Sequence, residues 1–147
     1  MEQKYLHFQV EGMSFAMPIE FIKEIVPMPK LTRIPNNKEL LGVSNVRGQI
    51  IPVVDFKRQF QLCKTELPQK LLIVETDSLF GIPADNLVGI VVANENEIDR
   101  YLGLAIFFND EAINGVLKKD DLLIAIIDLT KLNTNKTMQK QEELYVN

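Results

Sequence analysis

The chain of 147 residues has no tryptophan, one cysteine and one histidine. These shortages remove several chemistries at once. The lone thiol, Cys63, cannot close an internal disulfide, so nothing points to an oxidising compartment. A zinc site needs about four Cys or His ligands. Only Cys63 and His7 are available, so no metal is expected. His7 would also have to serve any His-based nucleophilic site. It alternates with Leu6 and Phe8 in a strand pattern and reads as a surface strand residue. The serines, Ser14, Ser44 and Ser78, lie outside any Gly-x-Ser-x-Gly elbow. No Gly-x-Gly-x-x-Gly occurs, and Gly42 to Gly48 lacks the lysine–hydroxyl pair of a phosphate loop. Asp55 and Asp128 each follow an apolar strand, which suits a capping role better than a carboxylate pair. Neither enzyme activity nor a cofactor is expected.

An excess of positive charge is also missing. Lys and Arg total 16 against 20 Asp and Glu, a net charge of −4. A duplex-binding protein carries a basic face, and an anionic membrane attracts one, so nucleic acid and membrane surfaces are disfavoured partners. The longest apolar runs, residues 102–108 and 122–127, fall far short of the roughly 18 residues a membrane span needs. The N-terminus shows no basic stretch followed by an apolar one. These features predict a cytoplasmic protein with no direct membrane insertion. Hydrophobic residues make up 46%, enough to bury a core without staples.

What the sequence does contain is short apolar runs, mostly of period two. They predict strands over residues 5–10, 14–18, 22–27, 43–46, 49–55, 71–75, 79–82, 87–92, 103–108, 114–117 and 122–127. One helical turn is predicted over 36–40 and a short helix over 57–60. Residues 63–69 read as a connector, 94–99 as a polar loop and 133–147 as a polar tail.

The pattern repeats. At an offset of 65, Leu6, Phe8, Phe15, Met17, Pro18 and Ile22 lie on Leu71, Ile73, Phe80, Ile82, Pro83 and Leu87. At an offset of 73, Gly42-Val43 lies on Gly115-Val116, and residues 50–55 lie on 123–128. The growing offset places extra residues around 94–101. Two halves, 4–60 and 70–132, suggest two small barrels. A half of that size is marginal alone, so the two should share a core and leave a groove between them.

One segment is more specific. Phe15-x-x-Pro18-Ile19, Ile22-x-Glu24-Ile25, Thr32-Arg33-Ile34-Pro35, residues 42–48 (GVSNVRG) and residues 51–55 (IPVVD) together closely resemble the CheW-like family. The resemblance runs from about Tyr5 to Leu132. It implies a mainly β fold of two intertwined five-stranded SH3-like β-barrels with a few short helices, in a single CheW-like domain over 1–147. It also implies a chemotaxis adaptor in two-component signal transduction. Its partners would be the regulatory domain of the histidine kinase CheA and the cytoplasmic tip of methyl-accepting chemotaxis receptors. Such a protein would be cytoplasmic and recruited to membrane-bound receptor clusters. The alternative is a small-ligand-binding β-barrel regulatory module, which would need a cavity with converging polar groups.

The candidate receptor or kinase contacts are Glu24, Val43, Asn45, Arg47, Gly48, Ile82 and Ala84. Arg47 sits at a Gly-flanked turn whose repeat counterpart is Asp120, so its guanidinium belongs to one half only. It reads as a donor fork for a partner carboxylate or carbonyl, or as half of a local pair with Glu24. Glu24 is equally an ordinary solvated strand residue. Val43 and Ile82 read as core or as groove lining. Pro83-Ala84 replaces a run of branched residues in the family pattern, which would make the groove shallower.

Overall fold

The computed structural model describes residues 2–37, 39–60, 68–102 and 111–132. The fold is mainly β. Eleven strands are described: β1 Glu2–Val10, β2 Met13–Pro18, β3 Ile22–Pro27, β4 Leu40–Val46, β5 Gln49–Val54, β6 Lys70–Glu75, β7 Leu79–Ala84, β8 Asn86–Asn94, β9 Ile98–Asp99, β10 Ile113–Lys119 and β11 Leu122–Ile127. One helical turn, α1 (Phe56–Gln59), follows β5. Asp55 caps it by accepting from the Arg58 backbone N–H at 3.2 Å, and Asp128 caps the Leu129–Lys131 turn by accepting from Thr130 N–H at 3.0 Å. The predicted strand over 103–108, most of the connector around Cys63 and the tail over 133–147 lie outside the described residues.

Two predictions of local structure are corrected. The described residues of 36–40 form no helical turn. The Asn37 side chain accepts from the backbone N–H groups of Glu39 and Leu40, at 3.0 and 3.2 Å, in a side-chain turn that competes with helix. The polar stretch at 94–99 is not all loop. It forms a 3-10 turn, Glu95–Glu97, held by a capping box on Asn94, and then β9.

The strands form two sheets, ordered β8-β1-β2-β11-β10-β9 and β3-β6-β7-β5-β4. Neither sheet belongs to one half of the chain. The first takes β1 and β2 from the first half and the rest from the second; the second takes β6 and β7 from the second half. The halves are intertwined, and neither makes a barrel by itself. Position by position, β8-β1-β2-β11-β10 matches β3-β6-β7-β5-β4. Even the irregularities match. The bulge between Leu40 and Gly42 opposite Val54 and Val53 recurs between Ile113 and Gly115 opposite Ile127 and Ile126.

Along β6, alternate residues enter different layers because side chains alternate across a strand. Leu72 and Val74 join Leu6, Phe8, Phe15, Met17, Phe80 and Ile82 in a central layer between the sheets. Leu71 and Ile73 face the other way, against Ile51 and Val53. A third layer, with Tyr5, Ala16, Val91, Ile124 and Ile126, packs among strands of the first sheet, apart from the central layer. The central layer is the most aromatic: Phe15 meets Phe56 of α1 edge-on at 4.8 Å between centroids. Each large side chain fully buried there contributes about 1.5–3 kcal/mol.

These layers correct the offset within one strand pair. Leu6 and Phe8 share a layer with Leu72 and Val74, not with Leu71 and Ile73. The β1–β2 pair runs out to Val10 opposite Met13, a two-residue loop, whereas β6–β7 closes over three residues from Glu75 to Leu79. Six residues separate Phe8 from Phe15 and five separate Val74 from Phe80, so the offset falls from 66 to 65 at the loop. A slip of one residue puts a side chain on the wrong face.

The layers also correct His7. Its alternation with Leu6 and Phe8 is real, but both faces of β1 are covered. His7 is 3% exposed. Its Nε2 lies 2.8 Å from Ser14 Oγ, and Gln9 Nε2 donates to the same oxygen at 3.3 Å. That arrangement directs the serine proton to a neutral imidazole. Burial pushes the His7 pKa below its ordinary value of 6.5.

The edges of each sheet are drawn together. Beyond β3, Thr32 and Val43 of β4 exchange two backbone hydrogen bonds of 2.8 Å each. In the first sheet β9 does the same job, with Asp99 paired to Val116, the counterpart of Val43. Glycine makes room at both crossings. A Cβ on Gly42 would sit 2.5 Å from the Thr32 carbonyl oxygen, and one on Gly115 would sit 2.6 Å from Ile98 Cγ2. Gly42→Ala and Gly115→Ala are each expected to cost about 1–3 kcal/mol in urea unfolding, as overpacking does. A loss under about 0.5 kcal/mol at both would show that the crossings do not need glycine. His7 predicts a pH effect of definite sign. Below about pH 6.5 the unfolded chain takes up a proton that the folded chain resists, so stability falls as pH drops through that window toward the lowered folded value. His7→Gln should flatten that slope; an unchanged slope would assign the acid sensitivity elsewhere.

Candidate functional site

Val46 pairs with Gln49, so β4 and β5 are joined by the two-residue loop Arg47-Gly48. Both residues have left-handed φ, 51° and 83°, the signature of a type I′ turn. Glycine suits its position. Arginine does not: outside Gly, Asn and Asp, the left-handed conformation costs roughly 1–2 kcal/mol. The equivalent hairpin carries Asp120-Asp121, at φ 49° and 66°, residues of the type such turns favour. Turn physics therefore gives no reason for arginine at 47. The turn is braced by Asn45, whose Oδ1 accepts from Gly48 N–H at 2.8 Å.

The guanidinium reaches across to β3, where Arg47 Nη2 pairs with Glu24 Oε1. Beside this pair, Lys23 Nζ lies 3.7 Å from Glu75 Oε1. The four charges rim a depression of about 220 Å³ whose apolar lining is Val46, Ile51, Ile73 and Leu79. It is smaller than a typical small-molecule pocket of about 300–1,000 Å³, but accepts one or two side chains of a partner. The Arg47 and Glu24 side chains are 70% and 35% exposed. An exposed pair of this kind contributes about 0–1 kcal/mol. Glu24 engages one edge of a fork that carries five N–H donors, which leaves donors for a carboxylate or carbonyl arriving from outside.

Of the residues singled out in the sequence, Glu24 and Arg47 meet at this rim, and Asn45 and Gly48 build the turn beneath the arginine. Val43 lies off the rim, half-buried, with its backbone committed to Thr32. Ile82 is core, the first of its two readings, and does not line a groove, and Ala84 is corrected as a surface contact: both are 0% exposed in the central layer. The space between the sheets is packed with apolar side chains, and β7, which carries both residues, is the central strand of the second sheet.

Sequence reasoning missed Lys23, Glu75 and a second feature. Val88, Ile90 and Val92 of β8 are 49%, 56% and 39% exposed. They form an apolar stripe on the outer strand of the first sheet, beside Leu6 and Lys4 of β1. Residues 87–92 are apolar at nearly every position, the pattern of a strand covered on both faces. Sheet order, which the sequence does not carry, is what leaves one face open. Another recess, of about 500 Å³, lies beside the start of β4 between Arg33, Pro35, Asn37 and Arg58. Among the described residues no cluster of His, Cys, Asp and Glu could hold a metal ion, and no helix is long and apolar enough to cross a membrane.

The described residues thus combine two sheets of exchanged strands, a charged rim and an outer apolar stripe. The chain belongs to the CheW-like domain family, which matches residues 4–136. It is 26% identical to the chemotaxis protein CheW of Bacillus subtilis, over 93% of this chain and 90% of that one. It is also 26% identical to the chemotaxis protein CheW of Thermotoga maritima, over 95% and 93%. The crystal structure of the scaffolding protein TtCheW from Thermoanaerobacter tengcongensis superposes with a TM-score of 0.78 at 28% identity, covering 88% of this chain and 86% of that one.

The weak energetics of the rim are open to test. Glu24→Gln is expected to change the unfolding free energy by no more than about 1 kcal/mol in urea titration. A loss of about 3 kcal/mol would instead make the Glu24–Arg47 pair a structural necessity.

Proposed function

We propose that this chain is a chemotaxis coupling scaffold that binds the regulatory domain of the histidine kinase CheA and the cytoplasmic tip of a methyl-accepting receptor at the same time. The reading rests on membership of the CheW-like family and on relatives that are themselves chemotaxis proteins, one of them a scaffold. The observation that carries it is Arg47: a guanidinium in a turn that disfavours it, paired too weakly to matter for stability, and still presenting donors outward. Such a fork suits the polar end of a receptor hairpin, with an apolar side chain entering the depression over Ile51 and Ile73. Bridging needs two surfaces that do not overlap. The rim belongs to the β3-β6-β7-β5-β4 sheet and the apolar stripe to β8 of the other, so the stripe is assigned to the partner that the rim does not hold. Signalling then needs no turnover. A change in the receptor alters affinity or geometry across the bridge, and by linkage the kinase alters affinity for the receptor in turn. The site of action is the cytoplasmic side of receptor clusters.

Calorimetry with a receptor-tip fragment and a CheA regulatory-domain fragment tests this. Wild type should bind both. Arg47→Glu should fold normally and bind the receptor fragment at least about tenfold more weakly, or about 1.4 kcal/mol, while still binding the kinase fragment. Ile90→Glu should weaken the partner that Arg47→Glu spares. If both substitutions weaken the same partner, the two-surface arrangement is wrong. If wild type binds neither fragment, the coupling role is wrong.

A further inference from the structure

We infer that Asn45 is a positioning residue: it holds Arg47 in its presenting conformation through the Gly48 amide, instead of touching the partner itself. The inference rests on the coupling role proposed above. Among the described residues, three hairpins close with two residues of left-handed φ: Glu11-Gly12, Arg47-Gly48 and Asp120-Asp121. They differ in how well their first residue suits the turn. Asp120 is of the favoured type, and among the described residues no side chain bonds the backbone of its loop. Glu11 and Arg47 are both poorly suited, and each loop has an added hydrogen bond. Asp85 Oδ2 accepts from Glu11 N–H at 2.7 Å, and Asn45 Oδ1 accepts from Gly48 N–H at 2.8 Å. The brace appears where the residue needs it.

The second half supplies a natural control. At the offset of 73, Asn45 corresponds to Lys118 and Arg47 to Asp120. An ammonium has only donors, so Lys118 cannot accept from a backbone N–H. The half without the arginine also lacks the acceptor. Glu24 holds the far end of the Arg47 side chain and Asn45 holds the turn from which it springs, so the guanidinium is fixed from both ends. Loss of the brace frees the hairpin to sample turns that aim the fork away from the rim, at an affinity cost set by the fraction of molecules left competent.

The test is a double-mutant cycle read by calorimetry against the receptor-tip fragment, with thermal unfolding and Gly48 amide exchange measured on the same proteins. Asn45→Ala is expected to weaken binding by roughly three- to tenfold, the range one lost hydrogen bond spans, and to speed Gly48 exchange with little change in Tm. Asn45→Asp, which keeps the acceptor, should restore affinity to within about twofold of wild type. In an Arg47→Ala background, Asn45→Ala should add no further loss, because a residue that acts through Arg47 has nothing left to position. Equal losses in both backgrounds would make Asn45 a direct contact and overturn the inference, as would an Asn45→Ala chain that binds as wild type does. Those outcomes leave the coupling role standing; failure of wild type to bind either fragment removes both.

Discussion

Exchange of strands between the two halves of the chain is the constraint on which the rest of this structure depends. Each sheet takes strands from both halves, so neither sheet can form while the other half is unfolded. The central layer, with Phe8, Phe15, Leu72 and Phe80 at its middle, seals the exchange by burying the apolar face of each sheet against the other. A half of about 60 residues is too small to supply a stable core on its own. Interleaving turns two marginal units into one, and it holds the rim on one sheet at a defined distance from the stripe on the other.

Near-symmetry then makes the differences informative. The two sheets agree in strand order, in bulges and in the glycines that let closing segments cross, so features shared by both halves belong to the fold. Features found once call for another reason. Arg47 against Asp120, Asn45 against Lys118 and Glu24 against Gly89 are all single-copy, and all three gather at one hairpin and the strand facing it. The chain accepts a strained residue there, and the ion pair returns little stability.

Much of the architecture was legible in the residues. Period-two apolar runs located nearly all the described strands, and the offset of 73 paired β4–β5 with β10–β11 to the residue. Asp55 and Asp128 read correctly as caps because an aspartate after an apolar run has few other uses. Two of the errors share a cause, burial on both faces of a strand. His7 alternates with Leu6 and Phe8 as a surface residue would, yet a second layer covers that face too. The one-residue slip between β1 and β6 leaves no mark in the residues, because Leu71, Leu72, Ile73 and Val74 are all apolar when every face is buried. Asn37 displaced a predicted helical turn because its amide captured two backbone N–H groups.

What the sequence by itself determined is local: strand positions, tight turns, capping aspartates, the repeat, and the oddity of an arginine at a Gly-flanked turn. Those follow from φ preferences and side-chain alternation, which act over a few residues. Sheet order was decided only in three dimensions, because hydrogen bonding between strands does not record which half of the chain a strand came from. With sheet order came everything about exposure. It buried Ile82 and Ala84, enclosed His7, and left Val88, Ile90 and Val92 facing outward. It also carried Glu24 across to Arg47, since a contact between residues far apart in the chain exists only once the strands between them have found their neighbours.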